Sequence, residues 1–427
     1  MIAIIPARYA STRLPGKMLL DVAGKPLIIH TLGQAKKART VTRVIVATDD
    51  ERISDVVTAA GGEAVLTSVE HRSGSDRLAE VAETLPEGSI IVNVQGDEPL
   101  IAPETIDSAV EELIADGSAD IVTVCEPLTS LYGELLNFNV VKAVCGEDGR
   151  ALYFSRSPMP FPRDASLRYG GDPNIALTSE PELWGNYRKH TGLYVYRREY
   201  LIRFAKLPQT KLEKFESLEQ LRALEDGAVI RIVDAAGSSI GVDTQADLDR
   251  VRAIMMLPEI RFRKAMIDDI PAVARVHIES WQRSFADIVP DDFLADMSIE
   301  RRTQRLSERF DREGYEMVVA EHPGGVIAGF ADFGAPILET GRDAQIYSFY
   351  LLPQFQRLGL GKRLFDQCVA QIRERGGRSL CLDSLEASPY RRFYDKHGGE
   401  VVGRDGHKLG DEYFDTVIYA WDDLSKL

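Results

Sequence analysis

The decisive stretch of this sequence reads Ile4-Ile5-Pro6-Ala7-Arg8-Tyr9-Ala10-Ser11-Thr12-Arg13-Leu14-Pro15-Gly16-Lys17. A short apolar strand, residues 2–5, runs directly into a loop that carries Arg8, Arg13 and Lys17. Guanidinium forks and the backbone N–H groups of such a loop bind phosphate oxygens, and a lysine adds a mobile positive charge. Two prolines fix the ends of the loop, which argues against a merely solvated basic coil. We therefore expect a polyphosphate site after the first strand.

Length and composition limit the classes of protein to which the chain can belong. Its 427 residues are enough for two or three domains. The formal net charge of -15 argues against nucleic acid as the main partner, because phosphate contacts need a basic surface. The four cysteines form no Cys-x-x-Cys pair and are expected as reduced core residues. Since we find neither a signal peptide nor an apolar run of about 18 residues, we expect a cytoplasmic protein without a membrane partner.

Strand and helix signals alternate along the first half, which predicts a doubly wound α/β sheet. The expected strands are 2–5, 44–48, 63–66, 89–94 and 121–125, and the expected helices are 26–39, 51–60, 76–84 and 103–116. A strand-rich region, 138–210, precedes a helix at 212–225, a strand at 229–234 and a helix at 244–256. Pro258 ends that helix and the pattern then restarts, so we expect domains at 1–257 and 259–427.

Two aspartates of the first half follow predicted strands. Asp97 comes after strand 89–94, and ligands in open α/β sheets bind beyond the carboxyl ends of strands. A carboxylate there suits Mg²⁺, which takes one or two carboxylates with phosphates and waters, but an acidic turn before Pro99 is equally compatible. Asp243 lies between a predicted short strand and a helix, where it can favour the helix N-terminus beside a Thr244–Asp247 capping box.

The loop at residues 4–17 closely resembles the nucleotide-binding loop of the 3-deoxy-manno-octulosonate cytidylyltransferases, also called CMP-Kdo synthetases. Sialic-acid-activating enzymes are less similar, since they usually have Gly-Gly-Ser-Lys where this chain has Tyr9–Arg13. The resemblance extends over roughly residues 1–255. It implies a nucleotide-diphospho-sugar transferase-like (Rossmann-like) domain in which a sugar-acid hydroxyl attacks the α-phosphate of CTP and pyrophosphate leaves. It also implies a homodimer, a Mg²⁺ cofactor and a role in lipopolysaccharide biosynthesis.

The same resemblance assigns roles to individual residues. Asp97 and Asp243 stand where the family has its Mg²⁺-binding aspartates, and with Lys17 they form the implied catalytic group. The residues implied for CTP are Arg8, Ser11, Arg13, Lys17, Ser73, Gly74, Ser75 and Arg77. Segment His71–Arg77 resembles the cytosine-binding segment, with Ser75 in place of the usual Thr; alternatively, Ser75 caps the next helix.

Further segments resemble the part of the family that holds the sugar acid. The residues implied for this substrate are Gln95, Arg156, His190, Glu219 and Gln220. A polyhydroxylated carboxylate needs a cation and bidentate polar groups, and these residue types supply them. The alternative is that Glu219 and Gln220 belong to an exposed helix face and that His190 is structural.

In the second half, a hairpin at 317–321 and 326–333 and a strand at 346–352 precede a glycine-containing loop. The loop reads Gln356-Arg357-Leu358-Gly359-Leu360-Gly361-Lys362 and opens a helix that runs to Glu374. A helix N-terminus of this kind attracts a pyrophosphate. It resembles the acetyl-CoA loop of the GCN5-related N-acetyltransferases, and the match spans roughly residues 260–422.

This second resemblance implies an α+β domain that binds acetyl-CoA through Gln356, Arg357, Gly359, Gly361 and Lys362. Tyr394 stands where many members of that family place the general acid; the alternative is that it packs the helix against the sheet. Asp332 and Asp383 are candidates for the base or are structural. The acetyl acceptor, an amine, stays open because a fold alone does not define a substrate.

Three hypotheses follow for the whole chain. The first is a bifunctional enzyme that makes a CMP-sugar acid and acetylates an amine. The second keeps the cytidylyltransferase but makes the second half a non-catalytic module that senses acetyl-CoA. The third changes the sugar to another nonulosonic acid, which the residues Tyr9–Arg13 disfavour.

Overall fold

The computed structural model describes residues 1–11, 13–71 and 73–427. Thr12 of the first loop and Arg72 of the His71–Arg77 segment lie outside the described residues. The chain divides into two compact units, Met1–Val251 and Arg252–Leu427. In the described part of the chain, we find no helix with the length and apolar character needed to cross a membrane.

The N-terminal unit alternates strands and helices as predicted. Its strands are β1 (Ile2–Ala7), β2 (Asp21–Val22), β3 (Lys25–Pro26), β4 (Arg43–Thr48), β5 (Glu63–Leu66), β6 (Ile90–Asn93), β7 (Ile121–Pro127), β8 (Lys142–Cys145), β9 (Ala151–Ser155), β10 (Arg188–Arg197) and β11 (Ile230–Asp234). Its helices are α1 (Leu27–Lys37), α2 (Glu51–Ala59), α3 (Gly74–Glu83), α4 (Pro103–Ala115), α5 (Arg163–Arg168), α6 (Pro173–Ser179), α7 (Arg198–Ala205), α8 (Lys211–Glu216), α9 (Gln220–Glu225) and α10 (Gln245–Met256), and the division between the units falls within α10.

The main sheet of this unit has the strand order β11-β7-β10-β6-β1-β4-β5. Strand β1 is parallel to both β4 and β6, whereas β10 runs antiparallel to β6 and β7. Because the carboxyl ends of parallel strands meet at one edge of a sheet, the segments after β1, β4 and β6 lie together. Ile4 and Ile5 of β1 are fully buried, as expected for a central parallel strand.

The prediction of one continuous helix over 212–225 was wrong. Ser217 adopts a left-handed conformation, with φ at 54°, and its N–H still bonds back into α8. The chain therefore turns between α8 and α9 and brings Glu219 to the catalytic edge. The prediction of a short strand before Asp243 was also wrong, because residues 235–244 form a loop between β11 and α10.

The C-terminal unit is an α+β fold, as predicted. Its strands are β12 (Arg261–Lys264), β13 (Glu316–His322), β14 (Val326–Gly334), β15 (Ala344–Leu351), β16 (Leu380–Leu385), β17 (Glu400–Leu409) and β18 (Glu412–Trp421). Its helices are α11 (Ile270–Ser284), α12 (Asp291–Ala295), α13 (Ile299–Phe310), α14 (Leu360–Glu374) and α15 (Arg391–Lys396). The sheet order is β12-β13-β14-β15-β16-β18-β17, in which β15 and β16 are parallel and the other pairs antiparallel.

Candidate active sites

The basic loop after β1 is shaped by Gly16 and Tyr9. The Gly16 N–H donates to the Tyr9 carbonyl at 3.2 Å, and Gly16 has a positive φ of 66°. A Cβ at this position would lie 3.2 Å from the Tyr9 ring. The guanidinium of Arg52 covers the same ring, 3.4 Å from its centroid. The loop conformation therefore depends on a residue without a side chain next to Lys17.

Lys17 lies at the centre of the site. It is buried, and its Nζ donates to Asp97 Oδ2 at 2.5 Å, to Asp243 Oδ1 at 2.9 Å and to the Val242 carbonyl at 2.9 Å. The Val242 N–H in turn donates to the Asp97 carbonyl at 2.9 Å. Three distant segments are thus fixed around one ammonium group.

The charges at this centre are closely balanced. Burial by itself lowers the pKa of Lys17, but Asp97 and Asp243 outweigh that effect and raise the pKa above its usual value. Arg13 Nη2 lies 2.8 Å from Asp243 Oδ2, in a pair that is exposed to solvent. Lys17 is therefore charged at neutral pH, and both oxygens of Asp243 already face cations.

The loop after β6 is packed tightly against the first loop. A Cβ on Gly96 would approach the Pro6 carbonyl oxygen to 2.8 Å, so only glycine fits there. Burial, together with the charge of Asp97, raises the pKa of the neighbouring Glu98 to about 7. Gln95 Nε2 donates to the Gly192 carbonyl at 3.2 Å, which links this loop to β10.

Asp243 lies two residues before the start of α10. The predicted capping box is present, since the Thr244 N–H donates to Asp247 Oδ2 at 2.8 Å and the Asp247 N–H to Thr244 Oγ1 at 3.2 Å. Thr244 and Asp247 thus satisfy the helix end, and the Asp243 carboxylate remains directed at Lys17 and Arg13.

At the start of α3, the capping residue is Ser73 and not Ser75. Ser73 and Asp76 form a capping box, so the alternative in which Ser75 caps the helix was wrong. Ser75 Oγ instead donates to Glu219 Oε2 at 2.7 Å. Burial raises the pKa of Glu219, and this hydrogen bond partly offsets the effect. This hydrogen bond joins the segment implied for cytosine binding to the segment implied for sugar-acid binding.

One cavity of about 520 Å³ collects most of the predicted residues of this unit. Those that line it are Arg8, Ser11, Arg13, Lys17, Ser73, Gly74, Ser75, Arg77, Gln95, Asp97, Glu219, Gln220 and Asp243. Arg77 is nevertheless occupied by the protein itself, because its buried guanidinium bonds Asp49 at 2.8 Å and also Thr67. Gln220 is buried, and Glu219 largely so, which excludes the alternative of an exposed helix face.

Arg156 and His190 do not line this cavity. Arg156 donates to the backbone carbonyls of Glu216, at 2.8 Å, and Phe138, at 3.0 Å. His190 Nε2 lies 2.9 Å from Thr123 Oγ1, and burial lowers the pKa of His190 to about 4. A neutral imidazole can share hydrogen bonds with a substrate but supplies no positive charge, so the substrate roles of both residues stay predictions.

Sequence reasoning missed several residues that line the cavity. Tyr194 and Tyr196 lie two positions apart on β10, and their rings stack with centroids 5.8 Å apart. Asn93 at the end of β6 and Phe204 of α7 also line it. The spacing of two along a predicted strand could have placed both tyrosines on one face.

The second candidate site lies in the C-terminal unit, where β15 and β16 separate. The two strands pair at Ala344 with Leu380 and at Gln345 with Cys381. Among the described residues, no pairing between them follows Gln345, so residues 346–351 border a gap. At the far end of β15, Arg357 and Gly359 have positive φ values of 57° and 81°, and the chain enters α14.

The residues predicted for acetyl-CoA lie at this helix start. Gln356 uses its side chain internally: its Nε2 donates to the Leu351 carbonyl at 3.2 Å, and its Oε1 accepts from the Tyr390 hydroxyl at 2.9 Å. Lys362 pairs with Asp366 one turn along α14. The N-terminal N–H groups of α14, including that of Gly361, supply anion-binding capacity without any side chain.

Tyr394 lies beside the gap. Burial raises the pKa of its hydroxyl above the usual value, and Tyr350 of β15 and Asp383 of β16 raise it further. The hydroxyl is therefore protonated at neutral pH and able to donate. Its ring also packs against Tyr419, with centroids 5.4 Å apart, so the packing role holds as well.

The two candidate bases differ in their surroundings. Asp332 of β14 is fully buried and its Oδ2 accepts from the Tyr315 hydroxyl at 2.5 Å, whereas Asp383 is exposed. Neither arrangement assigns a base.

Comparisons with known proteins cover both units. A family model described as cytidylyltransferase matches residues 2–232, and one described as acetyltransferase (GNAT) domain matches residues 291–415. The 3-deoxy-manno-octulosonate cytidylyltransferase of Trichlorobacter lovleyi is 50% identical over 255 residues, which cover 60% of this chain and 98% of that protein. That of Geobacter sulfurreducens is 50% identical over 249 residues, or 58% of this chain and 96% of that protein.

A solved structure is similar over the same region. It is a CMP:2-keto-3-deoxy-manno-octonic acid synthetase complexed with CTP, 39% identical, with a TM-score of 0.54. The match covers 60% of this chain and 98% of that one. The relatives thus account for the N-terminal unit and leave the C-terminal unit to the second family model.

Proposed function

The chain belongs to the cytidylyltransferase family, and on that premise we propose that its N-terminal unit transfers the cytidylyl group of CTP to 3-deoxy-manno-octulosonate. The observation that carries this proposal is the convergence of Lys17, Asp97 and Asp243 in one cavity, where Lys17 donates a hydrogen bond to each of the two carboxylates. The relatives that are 50% identical over almost their whole length bear the corresponding name.

In the proposed reaction, a hydroxyl oxygen of the sugar acid forms a bond to the α-phosphorus of CTP, and the bond from that phosphorus to the β-phosphate oxygen breaks. The hydroxyl proton is lost to solvent and pyrophosphate leaves. Arg8, Arg13 and Lys17 neutralise the triphosphate, and the Ser75–Glu219 pair positions the nucleoside and the sugar acid. Such a reaction depends chiefly on positioning and on neutralising charge.

Mg²⁺ is a further part of this proposal, held by Asp97 and Asp243. No group of three or more His, Cys, Asp or Glu that could hold a metal is present among the described residues. Two carboxylates nevertheless fit Mg²⁺, which completes its shell with phosphate oxygens and waters. When bound, it would neutralise the charge that develops on the phosphates. Lys17 faces the same two carboxylates and, together with Arg13, balances their charge.

For the C-terminal unit, we propose acetyl transfer from acetyl-CoA to an amine, with the pyrophosphate of the co-substrate at the start of α14. Residues 356–362 supply the anion site, and Tyr394 returns a proton to the departing thiolate. Support comes from the match to the acetyltransferase model, the gap between β15 and β16, and the protonated hydroxyl of Tyr394 beside it.

Two remaining predictions belong to the same proposal. A homodimer agrees with the large exposed apolar side chains of one segment, which are Phe138, Phe161 and Leu167. A cytoplasmic location agrees with four cysteines that form no disulfide in the described structure, three of which are buried.

One assay tests both activities in the full-length protein. CTP, Mg²⁺ and acetyl-CoA are supplied with a panel of octulosonic and nonulosonic acids, and pyrophosphate and free CoA are followed separately. We expect pyrophosphate release to be fastest with 3-deoxy-manno-octulosonate. Faster pyrophosphate release with a nonulosonic acid would show that the substrate is a nonulosonic acid and not 3-deoxy-manno-octulosonate. Binding of acetyl-CoA without release of CoA in the presence of any amine would favour a C-terminal unit that senses acetyl-CoA without catalysis.

A further inference from the structure

We propose that the C-terminal unit acetylates an amine that carries an acid group, and that a cavity beside Tyr347 binds this acid group through Arg309 and Arg312. The inference rests on the acetyltransferase activity proposed above and names the substrate class of that unit. The cavity has a volume of about 120 Å³, and its lining includes Arg309, Arg312, Glu313, Tyr315, Ile337 and Tyr347.

The position of the cavity connects it with the gap between the strands. The pairing of β14 with β15 shifts here: Asp332 lies opposite Ser348 and Phe333 opposite Ile346, which makes Tyr347 the extra residue of a bulge. The bulge comes two residues after β15 parts from β16. From Tyr347 to Leu351 the strand extends about 13 Å, and the anion site of residues 356–362 lies beyond that end. The cavity beside Tyr347 and the pyrophosphate loop therefore lie at opposite ends of the stretch of β15 that is not paired with β16.

The charges around the cavity are unbalanced in favour of cations. Arg302 and Arg309 are seven residues apart on α13, so both face the same side of the helix. Within the described residues, neither they nor Arg312 takes part in an ion pair. The carboxylate of Glu313 is the one acidic side chain in the lining, against two guanidinium groups.

A buried layer behind the cavity holds these groups in place. Asp332 is fully buried; its Oδ2 accepts from the Tyr315 hydroxyl, and its Oδ1 has no hydrogen-bond partner in the described structure. The rings of Tyr315 and Tyr347 stack nearly in parallel, with centroids 6.2 Å apart. Arg302 lies close enough that the charge of Asp332 acts on it. The tyrosines thus form a rigid wall against which a flat ligand can lie.

These features favour an acid-bearing acceptor over a neutral one. Guanidinium groups bind carboxylates and phosphates through paired hydrogen bonds, and cations without a protein partner keep their donors for a ligand. A small, positively charged cavity disfavours a lysine side chain of a protein as the acceptor, because such a lysine carries no acid group at a fixed distance from its amine. In the transfer, the acceptor nitrogen bonds to the acetyl carbonyl carbon and the carbon–sulfur bond breaks; the nitrogen loses one proton and the CoA sulfur gains one.

The test measures CoA release by the full-length protein with matched pairs of amines. The pairs are an amino acid and its primary amide, glucosaminic acid and glucosamine, and an amino-substituted octulosonic acid and its methyl ester; a lysine-containing peptide is added. We expect kcat/KM for the acids to exceed that for their neutral partners at least tenfold. Arg309→Ala should lower kcat/KM for the acids at least tenfold and leave the KM for acetyl-CoA unchanged, with Arg309→Lys intermediate.

Arg305→Ala is the matched control, because Arg305 is an exposed arginine of the same helix that does not line the cavity. It should behave as the wild-type protein. Preference for neutral amines or for the peptide would overturn the inference and leave the proposed acetyl transfer standing. The absence of CoA release with every amine would overturn both, and an acid preference unchanged in Arg309→Ala would overturn the role of the cavity.

Discussion

The cationic side chains of the two units differ in whether they form ion pairs within the protein. In the N-terminal site, Lys17 and Arg13 already face the carboxylates of Asp97 and Asp243. In the C-terminal cavity, Arg309 and Arg312 have no ion-pair partner among the described residues. The first site is prepared to hold cations and phosphates together, because it contains both signs of charge. The second has unmatched donors, which is the arrangement expected where the ligand itself brings the acid.

The largest expected effect comes from removing one of the carboxylates. We expect Asp97→Asn to lower pyrophosphate release about 1,000-fold, because it removes charge at the reacting phosphates. Release of CoA should stay unchanged. Asp55→Asn, at an exposed aspartate of α2, is the control. Near-normal pyrophosphate release by Asp97→Asn would show that the reaction does not need the Asp97 carboxylate.

A substitution in the C-terminal unit should affect only acetyl transfer. Tyr394→Phe should lower CoA release about 100-fold, since it removes a proton donor but keeps the ring that packs on Tyr419. Pyrophosphate release should not change. Tyr413→Phe, at an exposed tyrosine of β18, provides the comparison. If CoA release survives in Tyr394→Phe, the residue only packs the helix.

The stability of the protein should depend on pH through His190, which does not line the N-terminal cavity. Folded His190 has a pKa of about 4, against 6.5 for an ordinary histidine. As the pH falls from 6.5 to 4, the unfolded chain binds a proton that the folded chain does not, and stability is lost over that interval. The shift corresponds to at most about 3 kcal/mol, and partial contact with water reduces this to about 2 kcal/mol.

His190→Gln should therefore lose about 2 kcal/mol less than the wild-type protein between pH 7.5 and pH 4.5. Urea unfolding at the two pH values measures the difference. The exposed His407 offers a control substitution, His407→Gln, which should follow the wild-type protein. Equal losses in His190→Gln and the wild type would show that the ring is protonated in the folded state.

The smallest expected effect comes from replacing glycines, and it distinguishes backbone strain from a change in the shape of the nucleotide-binding loop. Gly16 and Gly24 both have positive φ, and only at Gly16 would a Cβ meet the Tyr9 ring. Each substitution to alanine should cost about 1 kcal/mol in the free energy of unfolding. Gly16→Ala should in addition raise the KM for CTP several-fold, whereas Gly24→Ala should not. Equal KM values would mean that the loop tolerates the contact.

Much of the N-terminal site could be predicted from the sequence because its segments carry local signals. The strand-to-loop transition at Lys17 and the acidic loop at Asp97 are short patterns with a physical meaning. No local pattern predicts their direct contact, since these residues are 80 positions apart and Asp243 lies 226 positions from Lys17; the family resemblance alone grouped them. The turn at Ser217 was also missed, because serine gives no local signal for a left-handed conformation.

The C-terminal unit shows the limit of such patterns. Its anion loop has a local signature, whereas its acceptor cavity does not. Arg309 lies on a helix rich in arginine, where a solvated face is the ordinary interpretation. Only the packing of α13 near the buried Asp332 and the bulge at Tyr347 distinguishes Arg309 from its exposed neighbours. Sequence therefore indicated the co-substrate of this unit and left its acceptor open.

Cytidylyl transfer to an octulosonic acid can be followed by phosphorus NMR in a single reaction. The full-length protein is incubated with CTP, Mg²⁺ and 3-deoxy-manno-octulosonate. We expect a new phosphodiester signal that grows with pyrophosphate in a one-to-one ratio and is absent without the sugar acid. Consumption of CTP at the same rate with and without the sugar acid, and no phosphodiester signal, would contradict it.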